Sequence, residues 1–402
     1  MARPRLLILS QTLPHPADSG VKNRSANVFR QLARAFDVTA LCFYRHATLP
    51  AGGVAVARAG LADLGTVEAF PIPQEESRLR LLADHAESLI GGRVYTVPAH
   101  RSAEFGARLR ACLSQGRYAL VHADSLDLSY WFDRVGMLPL VCGHHDLQSV
   151  LLARRAEREG HGLRRRYLTL QAGRMRAEEQ RWCPRVALNT VVSDVDLAGF
   201  RAVSPEGRYL VVPNGMDLGH YRAGSADGTG VAFVGSAGWL PNLDAMRFYS
   251  GEVRPHLKDP GAAALTWVGA VDAEVRRELA GVGIAFAGHV PDPRPLVQGA
   301  ACCIAPLRMG SGTRIKILEA WALGKAVVST TIGCEGLAAR DGENILERDD
   351  PRAFAAAVEQ VLADGALRAR LGAAGRVTVE THYDWDTIGS MMNAEYLDLA
   401  RA

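Results

Sequence analysis

Residues 301–330 constrain the fold more than any other stretch of this sequence. ACCIA at 301–305 is an apolar run short enough for one parallel strand buried on both faces. A glycine-rich turn follows, Gly310-Ser311-Gly312, and then an amphipathic helix. Ile315, Leu318 and Ala322 share one stripe of that helix, with Trp321 beside it, which predicts a face packed on a sheet. Lys316 and Glu319, three residues apart, fall on the opposite edge near the helix start. Gly324 closes the helix, and AVVST at 326–330 returns as the next strand. Strand, turn, helix and strand in that order belong to an α/β sheet.

This order also has chemical consequences. A strand, a glycine turn and a helix N-terminus aim free backbone N–H groups and a positive dipole end at one point. That is an anion site, most naturally for phosphate. Arg314 and Lys316 add cationic contacts, and Glu319, one turn deeper, accepts hydrogen bonds from hydroxyls such as a ribose diol. Phosphate donors beside a diol acceptor describe a nucleoside diphosphate site. In the plainer alternative, the glycines only shape a βα turn and the charges are solvated.

The rest of the chain repeats the pattern. Residues 6–9 read as a first strand, followed by the turn SQTLPHPADSG and a helix to about Phe36. Gly20 in that turn lets backbone approach a ligand closely, and Arg24, one turn into the helix, is placed to reach a phosphate. Further strands read at 36–44, 65–70, 118–123 and 138–143, with helical patterns between them, as in a doubly wound sheet. The strand at 138–143 runs directly into His144, His145 and Asp146; adjacent histidines at a strand's carboxyl end are candidates for a site. Residues 185–196 read as the last strand of a first domain, and SADGTG at 225–230 as a polar linker. A second domain opens with VAFVG at 231–235. Gly235 and Ser236 follow its first strand, and Asn242 is a suitable N-cap for a helix from about Leu243. Strands at 264–269 and 283–290, with the 301–330 region, complete the second sheet.

At 402 residues the chain exceeds one typical core, and two domains of about 200 residues are expected. The reading divides it at 1–212, 213–380 and a closing helix at 381–402. A net charge of +3 does not argue for nucleic acid. No run is long enough to span a bilayer, and MARPRLLILSQ reads better as a first strand than as a signal peptide. The seven cysteines are scattered without a C-x-x-C pair, which points to reduced core thiols and a cytoplasmic setting, not to disulfides or zinc. From Arg154 to Arg181 nine arginines face four glutamates. That patch suits an anionic acceptor or peripheral contact with the inner face of an anionic membrane; the alternative is a solvated helix face in an arginine-rich chain.

The run GSGTRIKILEAWALGKAVVST…GCEGL resembles the nucleotide-binding signature of retaining glycosyltransferases of the GT-B fold, the group that includes sucrose synthases and bacterial mannosyltransferases. Glu319 matches the second glutamate of that family's E-x7-E motif, and the first falls at Ser311, a departure that bears on the donor sugar. HDLQS resembles the family's H-N-x-E-S, whose histidine contacts the donor sugar, which favours His145 over His144. The place of Gly20 resembles the family's glycine loop. VVPNGMD resembles the segment leading into the second domain, and residues 382–400 the helix that crosses back to the first. Gly288-His289-Val290 resembles the G-x-V turn whose backbone meets the nucleobase. In the loop after Gly235, Gly238-Trp239 stands where relatives carry cations.

The resemblance implies two Rossmann-like domains with a cleft between them. It also implies a metal-independent hexosyltransferase that uses a nucleotide-sugar, UDP by default, and no separate cofactor. The donor site would comprise Gly20, Gly235, Ser236, His289, Val290, Gly310, Ser311, Gly312, Thr313, Arg314, Lys316 and Glu319. His145, Glu319 and Lys316 would act in catalysis, with Arg24, His144 and Asp146 on the acceptor side. The acceptor would be a glycan, a lipid-linked molecule or a small molecule, and nucleic acid is not expected. No G-x-x-x-x-G-K-[ST], G-x-G-x-x-G, H-E-x-x-H or G-x-S-x-G pattern supports a P-loop ATPase, dehydrogenase, metalloprotease or α/β-hydrolase. A sugar-nucleotide epimerase and a non-catalytic nucleotide- or glycan-binding subunit are the competing readings.

Overall fold

RLLILS at Arg5–Ser10 (β1) is buried from its second residue onward and forms an interior strand of a seven-stranded parallel sheet. The computed structural model describes residues 3–159, 162–225, 227–281, 283–310 and 314–401. The other strands of this sheet are β2 (Asp37–Tyr44), β3 (Thr66–Pro71), β4 (Tyr118–Ala123), β5 (Leu140–Gly143), β6 (Leu188–Val191) and β7 (Tyr209–Val211). Their order is β3-β2-β1-β4-β5-β6-β7. This compact unit runs to Pro213 and takes in the chain from Gly389 onward; the other unit is Asn214–Ile388.

The second unit carries a six-stranded parallel sheet of β8 (Val231–Val234), β9 (Leu265–Val268), β10 (Ile284–Gly288), β11 (Cys302–Ala305), β12 (Ala326–Ser329) and β13 (Leu346–Glu347), in the order β10-β9-β8-β11-β12-β13. Alternate residues feed two cores. Val231, Phe233, Cys302, Ile304 and Val328 face one layer, while Ala232, Cys303 and Val327 face the other. A sheet covered on both faces has apolar residues at nearly every position, which is why these strands read as continuous apolar runs. All seven cysteines are buried. Among the described residues no helix is long and apolar enough to cross a membrane.

Four local expectations are corrected. The strand read at 185–196 is not the last of its sheet, because Tyr209–Val211 adds a seventh at the edge. The second sheet gains the two-residue β13. Asn242 does not cap a helix from Leu243; that helix is Leu240–Phe248, with Trp239 at its cap. Finally, the helix Ile315–Ala322 buries Ile317 fully and Ile315 only in part. It packs on both the sheet and the helix Gly365–His382, where a Cβ built on Gly375 would lie 2.3 Å from Trp321. Contact on two sides makes the buried face wider than one stripe.

Candidate active site

In an open parallel sheet, ligands bind beyond the carboxyl ends of the strands where the strand order reverses. In the second unit this point lies between β8 and β11. Gly235 and Ser236 leave β8 there. A Cβ on Gly235 would sit 2.5 Å from the Asn242 amide, and one on Gly269 would sit 2.2 Å from the Gly235 carbonyl oxygen, so backbone packs on backbone at this edge. Beyond β11 the chain turns at Gly310, whose φ of +117° lies in the left-handed region. Ser311, Gly312 and Thr313 lie outside the described residues.

The helix that follows, Ile315–Ala322, and its cap residue Arg314 present three charged residues. Arg314 is buried, and its Nε and Nη2 donate to the Ile332 carbonyl at 3.2 and 3.1 Å, so it braces the neighbouring loop. Lys316 Nζ donates to Asn242 Oδ1 at 2.5 Å and lies 4.0 Å from the centre of the Phe233 ring. Asn242 Nδ2 in turn donates to the Ser236 carbonyl at 2.9 Å. One amide thus ties the loop after β8 to the helix after β11. Burial, then the nearby Arg314, holds the Lys316 ammonium down to about 7 against the pull of Glu319. Glu319 Oε1 accepts from the Tyr221 hydroxyl at 3.0 Å. Burial raises the Glu319 carboxyl, and Tyr221 and Lys316 oppose the shift. His289 and Val290 follow β10, the first exposed and the second half-buried.

In the first unit the order reverses between β1 and β4. Directly after β4 stands Asp124, the centre of a buried polar cluster. Its Oδ2 accepts from Ser25 Oγ at 2.6 Å and Ser10 Oγ at 3.1 Å. His145 Nε2 lies 3.1 Å from the Asp124 carbonyl oxygen and 3.4 Å from Oδ1. His122 Nε2 is 3.9 Å from that same Oδ1, and its Nδ1 is 3.0 Å from the Tyr396 hydroxyl. Burial alone would raise the Asp124 carboxyl, but His145 and His122 overcome it and hold the group well below the usual carboxylate range.

The other residues singled out in the sequence lie as follows. Arg24 is buried, and burial lowers its guanidinium to about 10 against Asp124, Tyr396, Asp196 and Asp146. Asp146 is half-buried. His144 points into the core: its Nε2 is 2.9 Å from Asn189 Oδ1, its ring centre is 4.4 Å from that of Phe200, and burial lowers it to about 4, so it is neutral near pH 7. Gly20 opens the helix Gly20–Ala35 behind the Ser19 cap, with nothing within 4 Å of the place a Cβ would take. The structure therefore brings Lys316 and Glu319 together with Asn242 and Tyr221 in one unit, and His145 with Asp124 in the other.

Sequence reading missed Asp124, although its place directly after a strand at the reversal point was a usable signal. Tyr221 and Tyr396 offered none, since their partners lie 98 and 274 residues away.

Two Rossmann-like parallel-sheet units make up the chain, and this is the architecture of the GT-B fold. Over 98% of its length the chain superposes on 99% of sucrose-phosphate synthase from Thermosynechococcus elongatus, with a TM-score of 0.71 and 17% identity. Anabaena HepE in complex with UDP and glucose gives 0.65 at 14% identity, over 98% of this chain and 99% of that one.

By sequence, residues 228–364 match the family described as glycosyl transferases group 1. The lipopolysaccharide core biosynthesis glycosyltransferase LpsE of Rhizobium meliloti is 36% identical over 107 residues, which are 26% of this chain and 31% of that protein. A phosphatidyl-myo-inositol mannosyltransferase of Mycobacterium tuberculosis is 27% identical over 255 residues, 58% of this chain and 64% of that one. The chain thus spans less than two thirds of either curated relative.

Proposed function

We propose that the protein is a retaining glycosyltransferase that moves a sugar from a nucleoside diphosphate sugar, UDP-linked in the first instance, to an acceptor hydroxyl without a metal ion. One observation carries this reading. Lys316 and Glu319, a cation and a hydroxyl acceptor within one helical turn, stand at the point where the second sheet takes its ligand. Backbone N–H groups at the helix start and the Lys316 ammonium hold the diphosphate. Glu319, oriented by Tyr221, accepts from ribose hydroxyls. As the bond to the sugar breaks, negative charge grows on the leaving diphosphate, and the dipole end and Lys316 stabilise it. A donor phosphate oxygen takes the acceptor's proton. His145, aligned by Asp124, serves the sugar and not as the base.

The identity of the relatives supports transfer, as does a neighbour solved with UDP and glucose. Glu319→Ala should abolish transfer, and His145→Ala should lower it steeply. Normal turnover in both variants would refute the assignment. Thermal stability with UDP, GDP, ADP, dTDP and NAD identifies the donor class, since a ligand at a hundred times its dissociation constant adds about 2.7 kcal/mol. A shift with NAD alone would sink the reading.

A second reading, a binding subunit without turnover, is favoured by Ser311 in place of the motif's first glutamate and by Gly238-Trp239 in place of loop cations. It predicts a nucleotide shift without turnover of any donor.

The acceptor, on this proposal, is presented at an anionic membrane surface. Helix Arg78–Gly91 exposes Leu79, Leu82, Leu89 and Ile90 on its outer side, and it packs against the basic helix Leu163–Trp182. Arg174 of the latter donates to the Leu89 carbonyl at 3.0 Å. Nearby, Leu163, Arg164, Arg165 and Arg166 are exposed. Apolar side chains beside a cluster of arginines match the demands of an anionic interface.

A further inference from the structure

The helix Gln148–Arg158, which follows the loop bearing His145, starts without a cap of its own. Leu147 stands at the cap position, and its side chain offers no oxygen to the free N–H groups of the first turn. The acceptor comes from another helix. Glu179 in Leu163–Trp182 accepts from the Ser149 N–H through Oε1 at 3.0 Å. Ser149 is the second residue of its helix, where a local cap would ordinarily bond.

That bond completes a pair of anchors around His145. Ahead of it, the His144 N–H donates to the Thr190 carbonyl at 2.8 Å, and the His144 ring is fixed by Asn189 and Phe200. Behind it, Leu147 lies in an apolar cluster with Cys183, Val191 and Phe200, and Ser149 is tied to Glu179. Between the anchors stand His145 and Asp146, both half-buried.

Glu179 is a costly cap. It is 1% exposed, and among the described residues its Oε2 is buried with no hydrogen-bond partner. The groups around it are Ser149 of the capped helix, Arg176 and Cys183 of its own, and Tyr209 of β7. Burial pushes the Cys183 thiol up to about 12 and raises the Tyr209 hydroxyl as well, so both are neutral near pH 7. Arg176 is exposed to solvent. Burial accordingly raises the Glu179 carboxyl to about 7, with Ser149 and Arg176 opposing the shift.

We propose that Glu179 is a positioning residue for His145: protonated, it caps the helix Gln148–Arg158 and holds the His145 loop, and ionised, it lets go. A buried carboxylate with one oxygen unmet is stabilised by any opening that admits water. In the opened state Glu179 returns to the ordinary carboxylate range, so the closed state is the one that keeps the proton. Closure is therefore strongest below that range and weakens as pH rises from there to about 7. That His145 serves a sugar rests on the transferase reading above; the cap does not.

Hydrogen exchange on the full chain tests the cap, and modification of His145 by diethylpyrocarbonate, located by mass spectrometry, tests the positioning. Neither needs a substrate. Corrected for intrinsic rates, protection of the Ser149 and Leu151 amides should fall about threefold or more between pH 5.5 and 7.5 in the wild type. Glu179→Gln, which keeps the acceptor and cannot ionise, should stay protected at both. Glu179→Leu should be unprotected at both. At pH 7.5, His145 should be modified faster in the wild type than in Glu179→Gln, and fastest in Glu179→Leu. The inference falls if wild-type protection is the same at both pH values, if Glu179→Gln loses protection as the wild type does, or if His145 is modified equally fast in all three. A thermal shift with UDP on the same samples reports on the second unit. The expected exchange pattern without any nucleotide shift overturns the transferase reading and leaves the cap standing. A UDP shift with exchange indifferent to Glu179 does the reverse.

Discussion

Lys316 makes the proposed donor site a proton-linked one. In the free protein its ammonium is held down to about 7, because burial beside Phe233 and Asn242, with Arg314 close by, penalises the charge. A diphosphate beside it reverses that balance and returns the pKa toward its ordinary range. Nucleotide affinity then tracks the fraction of free protein already protonated at Lys316. With a pKa of about 7, that fraction falls from about 0.24 at pH 7.5 to about 0.03 at pH 8.5. The dissociation constant should therefore rise several-fold over that interval. The sign is fixed: affinity falls as pH rises. The terminal phosphate, with a pKa near 6, is already ionised throughout. Calorimetric titration of UDP at pH 7.5, in two buffers of different ionisation enthalpy, should report uptake of roughly three quarters of a proton per UDP bound. Lys316→Met should bind more weakly, with no proton uptake and a flat pH profile over the same range. Equal affinity at both pH values, together with no proton uptake by the wild type, would refute the assignment of Lys316 to the diphosphate.

Ser25→Ala removes the 2.6 Å bond to the buried Asp124 carboxylate and should cost about 1.5–3 kcal/mol, read as a lowered denaturation midpoint. Because Asp124 is depressed in the folded state, its stabilisation is present above the ordinary carboxylate range and is lost as pH falls below it; the variant's deficit should shrink correspondingly in acid unfolding. Gly235→Ala forces a Cβ into the Asn242 amide and should cost about 1–3 kcal/mol while weakening UDP binding through the displaced Asn242–Lys316 bond; wild-type affinity would contradict the coupling. Flotation with vesicles containing phosphatidylserine should carry the wild type upward, less so at high salt, and should fail for a Leu82→Ser, Ile90→Ser double variant; equal flotation of both would rule out this face.

The parts of the molecule that were legible in its sequence share a physical cause. Strands buried on both faces of a parallel sheet leave long apolar runs, so β1, β4, β8 and β11 could be read almost to the residue. The edge strands β7 and β13 are three and two residues long and only partly buried, so they leave no comparable signal. Lys316 and Glu319 could be paired from spacing alone, because a helix fixes which side chains are neighbours three residues on. Their surroundings could not. Phe233 and Asn242 stand far from Lys316 in the chain, and they reach it only because β8 and β11 lie side by side. Asp124 draws on β1, on the helix Gly20–Ala35, on the loop after β5 and, through His122, on the chain's final helix. The two sites thus divide by contact range. Short-range spacing names the charged groups, whereas strand order decides which of them are buried together and so in what charge state they meet a ligand. For Lys316 that second step matters most: the spacing alone describes an ordinary cation, and the fold turns it into one that takes up its proton with the nucleotide.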